Sequence, residues 1–103
     1  MNQYNLFLNN SSFFMINLYN HGLTKDNFVN KKIMYKKFGP GSISKDFNMT
    51  YVCVTKLLTK FYSIGLICKE RDTGTSRTYY ALNDDGVNVA ERLLNLNKLI
   101  SIS

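Results

Sequence analysis

Two β-rich runs around a short polar tip constrain this chain more than any other feature. Leu66-Ile67-Cys68-Lys69-Glu70-Arg71 and Arg77-Thr78-Tyr79-Tyr80-Ala81-Leu82 carry the branched and aromatic residues of strands. Asp72-Thr73-Gly74-Thr75-Ser76 between them is a polar, glycine-bearing turn. Two such runs around a short loop predict one β-hairpin over residues 66–82. The segments on either side read as helices. The chain is therefore expected to be mainly α with a small antiparallel β-hairpin.

Caps and breakers mark the helices. Ser11 or Ser12 caps a helix running to about Asn20 and ended by His21-Gly22. Its Phe13, Phe14, Met15, Ile16, Leu18 and Tyr19 are apolar nearly all round, so it needs cover on every side, from its own core or from a second subunit. Thr24 is a second N-cap candidate, with Asp26 in the first turn where the helix dipole favours an acid. Phe28, Val29, Ile33 and Met34 follow at spacings of about four, which predicts an amphipathic helix ending near Lys37 and stopped by Gly39-Pro40-Gly41. Residues 42–47 are long enough for about two turns of helix. Thr50 caps the next helix, 51 to about 63, whose stripe Val54, Leu57, Leu58 and Phe61 has core-facing spacing. Ile64-Gly65 ends it. After the hairpin, Asn83 caps a last helix reaching about Ile100. Its Val89, Leu93, Leu96 and Ile100 are spaced 4, 3 and 4, a heptad-like seam.

Size and composition exclude several classes. A chain of 103 residues is one domain, large enough to bury a core without staples. Two Cys and one His cannot complete a four-ligand zinc site, and two Cys make no disulfide framework. Any nucleophile–base pair would have to use His21. With no acid/base pair, metal cluster or phosphate-cradling glycine loop, an enzyme is not expected, nor a cofactor or bound metal. No apolar run reaches the roughly 18 residues of a membrane span, and no Lys or Arg precedes the first apolar residues as in a targeting signal. A cytoplasmic protein, not attached to a membrane, is the expectation.

Charge is unevenly placed. The net charge is +6, but residues 1–24 carry no charged side chain, residues 25–77 carry +7 and residues 78–103 carry −1. One basic stretch of chain suggests one basic face, which attracts phosphate polymers or anionic surfaces. The bland alternative is a lysine-rich solvated surface.

Two helices joined by a tight turn and followed by a hairpin make a winged helix-turn-helix pattern. Ile43, Ser44 and Phe47 fill the apolar, small and apolar places of the first helix. Asn48 opens the turn, where a left-handed backbone is needed, and Met49 plugs the angle between the helices. Downstream, Leu57-Leu58-Thr59-Lys60-Phe61-Tyr62-Ser63-Ile64-Gly65-Leu66-Ile67 resembles the L-x-x-L-x-x-x-G-L-I helix exit of MarR- and ArsR-like transcription regulators. Arg77-Thr78-Tyr79-Tyr80-Ala81-Leu82-Asn83-Asp84-Asp85-Gly86 resembles their R-x-Y-Y-x-L-T-x-x-G second wing strand and start of the last helix. The resemblance covers about residues 42–100. Lys31-Lys32-Ile33-Met34-Tyr35-Lys36 is similar to a lysine-rich helix of small archaeal winged-helix proteins, with about ten more residues before the recognition helix.

The resemblance implies a double-stranded DNA-binding transcription regulator acting as a homodimer, a single winged-helix domain over 1–103. Its parts are N-terminal helices (1–41), the helix-turn-helix (42–63), the wing hairpin (64–82) and a C-terminal dimerisation helix (83–103). The expected DNA-facing residues are Thr50, Tyr51, Val52, Thr55, Lys56, Thr59 and Lys60 on the recognition helix, Arg71, Thr75 and Arg77 on the wing, and Lys36 and Lys37 on phosphates. Asp72 is placed to pair with Arg77. Tyr79 and Tyr80 read as packing residues, while Tyr51 suits either a DNA contact or cover for the helix start. The expected dimer contacts are Phe13, Phe14 and Leu18 with Val89, Leu93, Leu96 and Ile100. Two other functions stay open: a winged-helix protein–protein module, and a ligand- or redox-sensing regulator using Cys53 and Cys68, which otherwise read as small packing residues.

Overall fold

The structure, a computed structural model, describes residues 10–29, 35–71, 74 and 77–102, with the side chains of 28, 29, 35, 36, 97 and 99–102 left aside. Helix α1 (Asn10–Asn20) leads through the 3₁₀ turns Lys25–Val29 and Tyr35–Phe38 into α2 (Pro40–Asp46) and α3 (Tyr51–Ser63). Strands β1 (Ile67–Arg71) and β2 (Thr78–Leu82) pair antiparallel, with Ile67 opposite Leu82 and Arg71 opposite Thr78. The last helix, α4 (Asp84–Ile102), packs along α1. This is a winged helix: mostly helical, with a two-stranded hairpin after the helix-turn-helix.

Three helix ends close by one device. Gly22, Asn48 and Gly65 hold φ of +73°, +55° and +85° after α1, α2 and α3. In each, the next amide reaches back to a carbonyl five residues earlier: Leu23 to Leu18 (2.9 Å), Met49 to Ser44 (3.0 Å) and Leu66 to Phe61 (2.9 Å). That 6→1 closure satisfies carbonyls that would otherwise lack donors. All three lie where the sequence predicts a break.

The segment between α1 and α2 departs from expectation. The helix predicted from Thr24 to Lys37 has 3₁₀ turns at its two ends, and residues 30–34, with Lys31, Lys32, Ile33 and Met34, lie outside the described residues. The cause is tertiary. Leu82 donates its amide to the Leu23 carbonyl at 2.8 Å, and Thr24 makes a parallel bridge with Leu82, so the chain leaving α1 is drawn beside β2. Helix α2 also starts earlier than residue 42. Pro40, read as part of a break, instead occupies its first turn, where a missing N–H costs nothing.

Where the helices meet, Phe14 stacks on Phe61 (ring centroids 6.3 Å apart, 7° between planes) and meets Phe47 edge-on (5.6 Å, 71°). Leu18, Phe38, Ile43, Val54, Leu58, Leu82 and Ala90 belong to the same buried cluster.

Candidate nucleic-acid interface

Helix α3 stands on that core through Val54, Leu58 and Phe61. At about 100° per residue, Val52, Lys56, Thr59 and Ser63 form the opposite stripe, and all four are exposed. Lys60 and Cys53 flank the stripe on one side, Tyr51 and Thr55 on the other. Thr50 caps the helix as predicted: its hydroxyl oxygen accepts from the Cys53 amide at 3.2 Å. The turn into α3 is braced by Ser44, whose hydroxyl donates to the Met49 carbonyl at 2.5 Å. The small side chain expected at that place thus ties α2 to the start of α3.

Tyr51 and Thr55 face the hairpin rather than open solvent alone. With Pro40, Ser42, Arg77 and Tyr80 they line a cleft of about 690 Å³ between α2, α3 and β2. Burial pushes the Tyr80 phenol up from its ordinary value, and the Tyr51 phenol nearby adds to it. Tyr79 is a core residue and Tyr80 half-buried, so both pack. Tyr51 is 57% exposed. Arg71 and Arg77 are exposed on either side of the root of the hairpin tip, since Arg71 pairs in register with Thr78. Thr75 and Asp72 lie outside the described residues, as does the Lys36 side chain.

Two lysines have defined positions that the sequence did not indicate. Lys69 on β1 places its ammonium 4.4 Å from the Tyr62 ring centroid, joining the wing to the end of α3. Lys37, expected on phosphate, donates from its ammonium to the His21 carbonyl at 2.8 Å, a cation held at the end of α1.

The cysteines sit apart in character. Cys53 is exposed in the first turn of α3, and Cys68 is half-buried on β1. Burial pushes the Cys68 thiol up, against smaller opposing effects of backbone hydrogen bonds and Lys25, and its sulfur donates to the Ala81 carbonyl at 3.4 Å. A raised thiol is the reverse of what a reactive cysteine needs.

The residues assigned to a dimer contact divide. Phe14 and Leu18 are 1% and 0% exposed, filled in by their own chain's core. This corrects the expectation that they face a second subunit: α1 finds its cover in α4 and the aromatic cluster. Val89 and Leu93 are half-buried and also pack on that core. Phe13 is exposed and Leu96 half-buried. The Ile100 side chain lies outside those described.

No protein-family profile matches the chain, and no curated protein does. Solved structures share its fold. A MepR–DNA complex from Staphylococcus aureus aligns with a TM-score of 0.65 at 18% identity, over 90% of this chain and 58% of its own. MepR described as the transcription regulator of the S. aureus multidrug efflux pump MepA aligns at 0.61 and 20%, over 92% and 64%. A variant of ZitR from Lactococcus lactis aligns at 0.61 and 18%, over 89% and 54%. The chain thus spans about three-fifths of the length of the solved chains it matches. The shared fold is the winged helix.

Proposed function

We propose that this chain is a winged-helix transcription regulator that binds double-stranded DNA with sequence preference and acts as a homodimer in the cytoplasm. The observation that carries the reading is the outward face of α3. Val52, Lys56, Thr59 and Ser63 stand clear of the core, with Lys60 beside them and Arg71 and Arg77 at the hairpin root. A helix of this kind fits the major groove, while the arginines reach the backbone or minor groove beside it. The fold likeness to a regulator solved on DNA supports the same reading. Bound at a promoter, the protein acts by occlusion or recruitment. No step of this needs a catalytic group or a cofactor.

Fluorescence anisotropy on a duplex tests it. Lys56→Ala with Lys60→Ala weakens binding, and the slope of log affinity against log salt falls by about 0.9 for each phosphate that is no longer neutralised. An unchanged slope refutes these lysines as phosphate ligands.

A further inference from the structure

We infer that the recognition helix selects DNA by the 5-methyl group of thymine, with Val52 as the residue that reads it. This rests on the DNA-binding reading above and says what that face distinguishes.

Val52 opens the exposed stripe at the N-terminal end of α3 and is 60% exposed, so it contributes little to its own core. A branched apolar side chain there offers a partner only shape and apolar contact. Two hydroxyl groups of α3 turn their protons to the helix's own backbone. Thr55 donates to the Val52 carbonyl at 3.0 Å and Ser63 to the Lys60 carbonyl at 2.7 Å. The Thr50 oxygen is engaged by the Cys53 amide. Residues 50–64 contain no Arg, Asn, Gln, Asp or Glu. The side chains that read guanine or adenine bidentately, or accept from cytosine, are therefore missing from α3, Lys56 and Lys60 apart. Lys56 and Thr59 can still bond to base edges, but what Val52 itself can meet in the major groove is apolar, and thymine alone among the four bases presents such a feature, its methyl. Charge complementarity fits the same partner, because Lys56 stands one turn further along the stripe and Lys60 beside it.

The test uses the full chain and two duplexes that differ only in that methyl, alternating dA·dT and the same duplex with deoxyuridine replacing thymidine. Anisotropy at low salt is expected to show about fourfold weaker binding to the uracil duplex for each methyl group removed from the interface. Val52→Ala, a change at an exposed position, brings the thymine duplex down to the uracil level and abolishes the preference. Lys56→Ala weakens both duplexes by the same factor and keeps the preference. Equal binding of the two duplexes by the native chain overturns the inference while leaving DNA binding intact, as does a preference that survives in Val52→Ala. Absence of binding to either duplex removes the DNA-binding reading and this inference with it.

Discussion

Gly86 stands in the first turn of α4 where no side chain fits: a Cβ there would lie 2.0 Å from the Leu66 carbonyl oxygen. That same carbonyl accepts from the Asn83 amide at 3.2 Å, and the Asn83 side chain caps the Gly86 amide at 2.8 Å. Gly86→Ala therefore forces the start of α4 away from the strand lead-in, and urea unfolding is expected to show a loss of about 2 kcal/mol. Asn48, left-handed at +55°, behaves differently. Asn48→Ala costs about 1 kcal/mol, whereas Asn48→Gly is near neutral in the same measurement. Asn48 was legible in the sequence because its reason is local, a residue type that tolerates that backbone. Gly86 was legible only as part of a pattern, since its reason is an atom twenty positions away. The cysteines give a third outcome. The exposed Cys53 reacts with a thiol reagent first and Cys53→Ser removes that phase, while Cys68 reacts slowly. Because the folded Cys68 thiol lies above its ordinary 9.0, the unfolded chain loses that proton first. Its contribution to stability is whole below about pH 9 and is lost as pH rises through the folded value. Cys68→Ala should flatten that alkaline decline in a stability-against-pH series.

At the level of elements, α3, the hairpin and α4 could be placed from sequence because each carries its own boundary signals: Thr50 and Gly65, the glycine-bearing tip, Asn83 and two acids in the first turn. The segment from Thr24 onward could not. Its four-residue spacing promised a helix, but the bridge to Leu82 fixes the chain leaving α1 beside β2, and tertiary pairing overrides local propensity there. The candidate site divides the same way. The outward stripe of α3 follows from the spacing of Val54, Leu58 and Phe61, whereas the fates of Lys37 and Lys69 depend on groups from other elements. The joint between α2 and α3 is the most local of these features and can be tested alone. Ser44→Ala removes the hydroxyl that holds the Met49 carbonyl and is expected to cost about 1 kcal/mol. Chemical denaturation measures it, and no change would mean that water replaces the brace without loss.

For the whole molecule, burial narrows the surface open to the proposed second subunit. The apolar surface at the two ends of the chain offered seven helix positions for pairing, but Phe14 and Leu18 are buried by their own chain, and Val89 and Leu93 are partly so. A charge at Leu93 therefore strikes the fold as well as any interface, because a carboxylate packed against that core has no partner. Leu96, further along α4, and the exposed Phe13 on α1 are the positions where charge separates assembly from folding. Leu96→Asp with Phe13→Glu is expected to give a folded monomer by sedimentation velocity, with a far-ultraviolet dichroism spectrum like that of the parent chain. Leu93→Asp is expected to lower stability by about 3 kcal/mol or more in the same preparation. If the chain pairs and binds DNA as proposed, the monomer loses the gain in affinity that comes from holding two recognition helices at a fixed separation, and its binding to a duplex with two half-sites falls to that of one. Should Leu96→Asp with Phe13→Glu stay dimeric, the pairing surface is not built on α4 and α1. The two-fold spacing of half-sites would then follow from another face of the molecule.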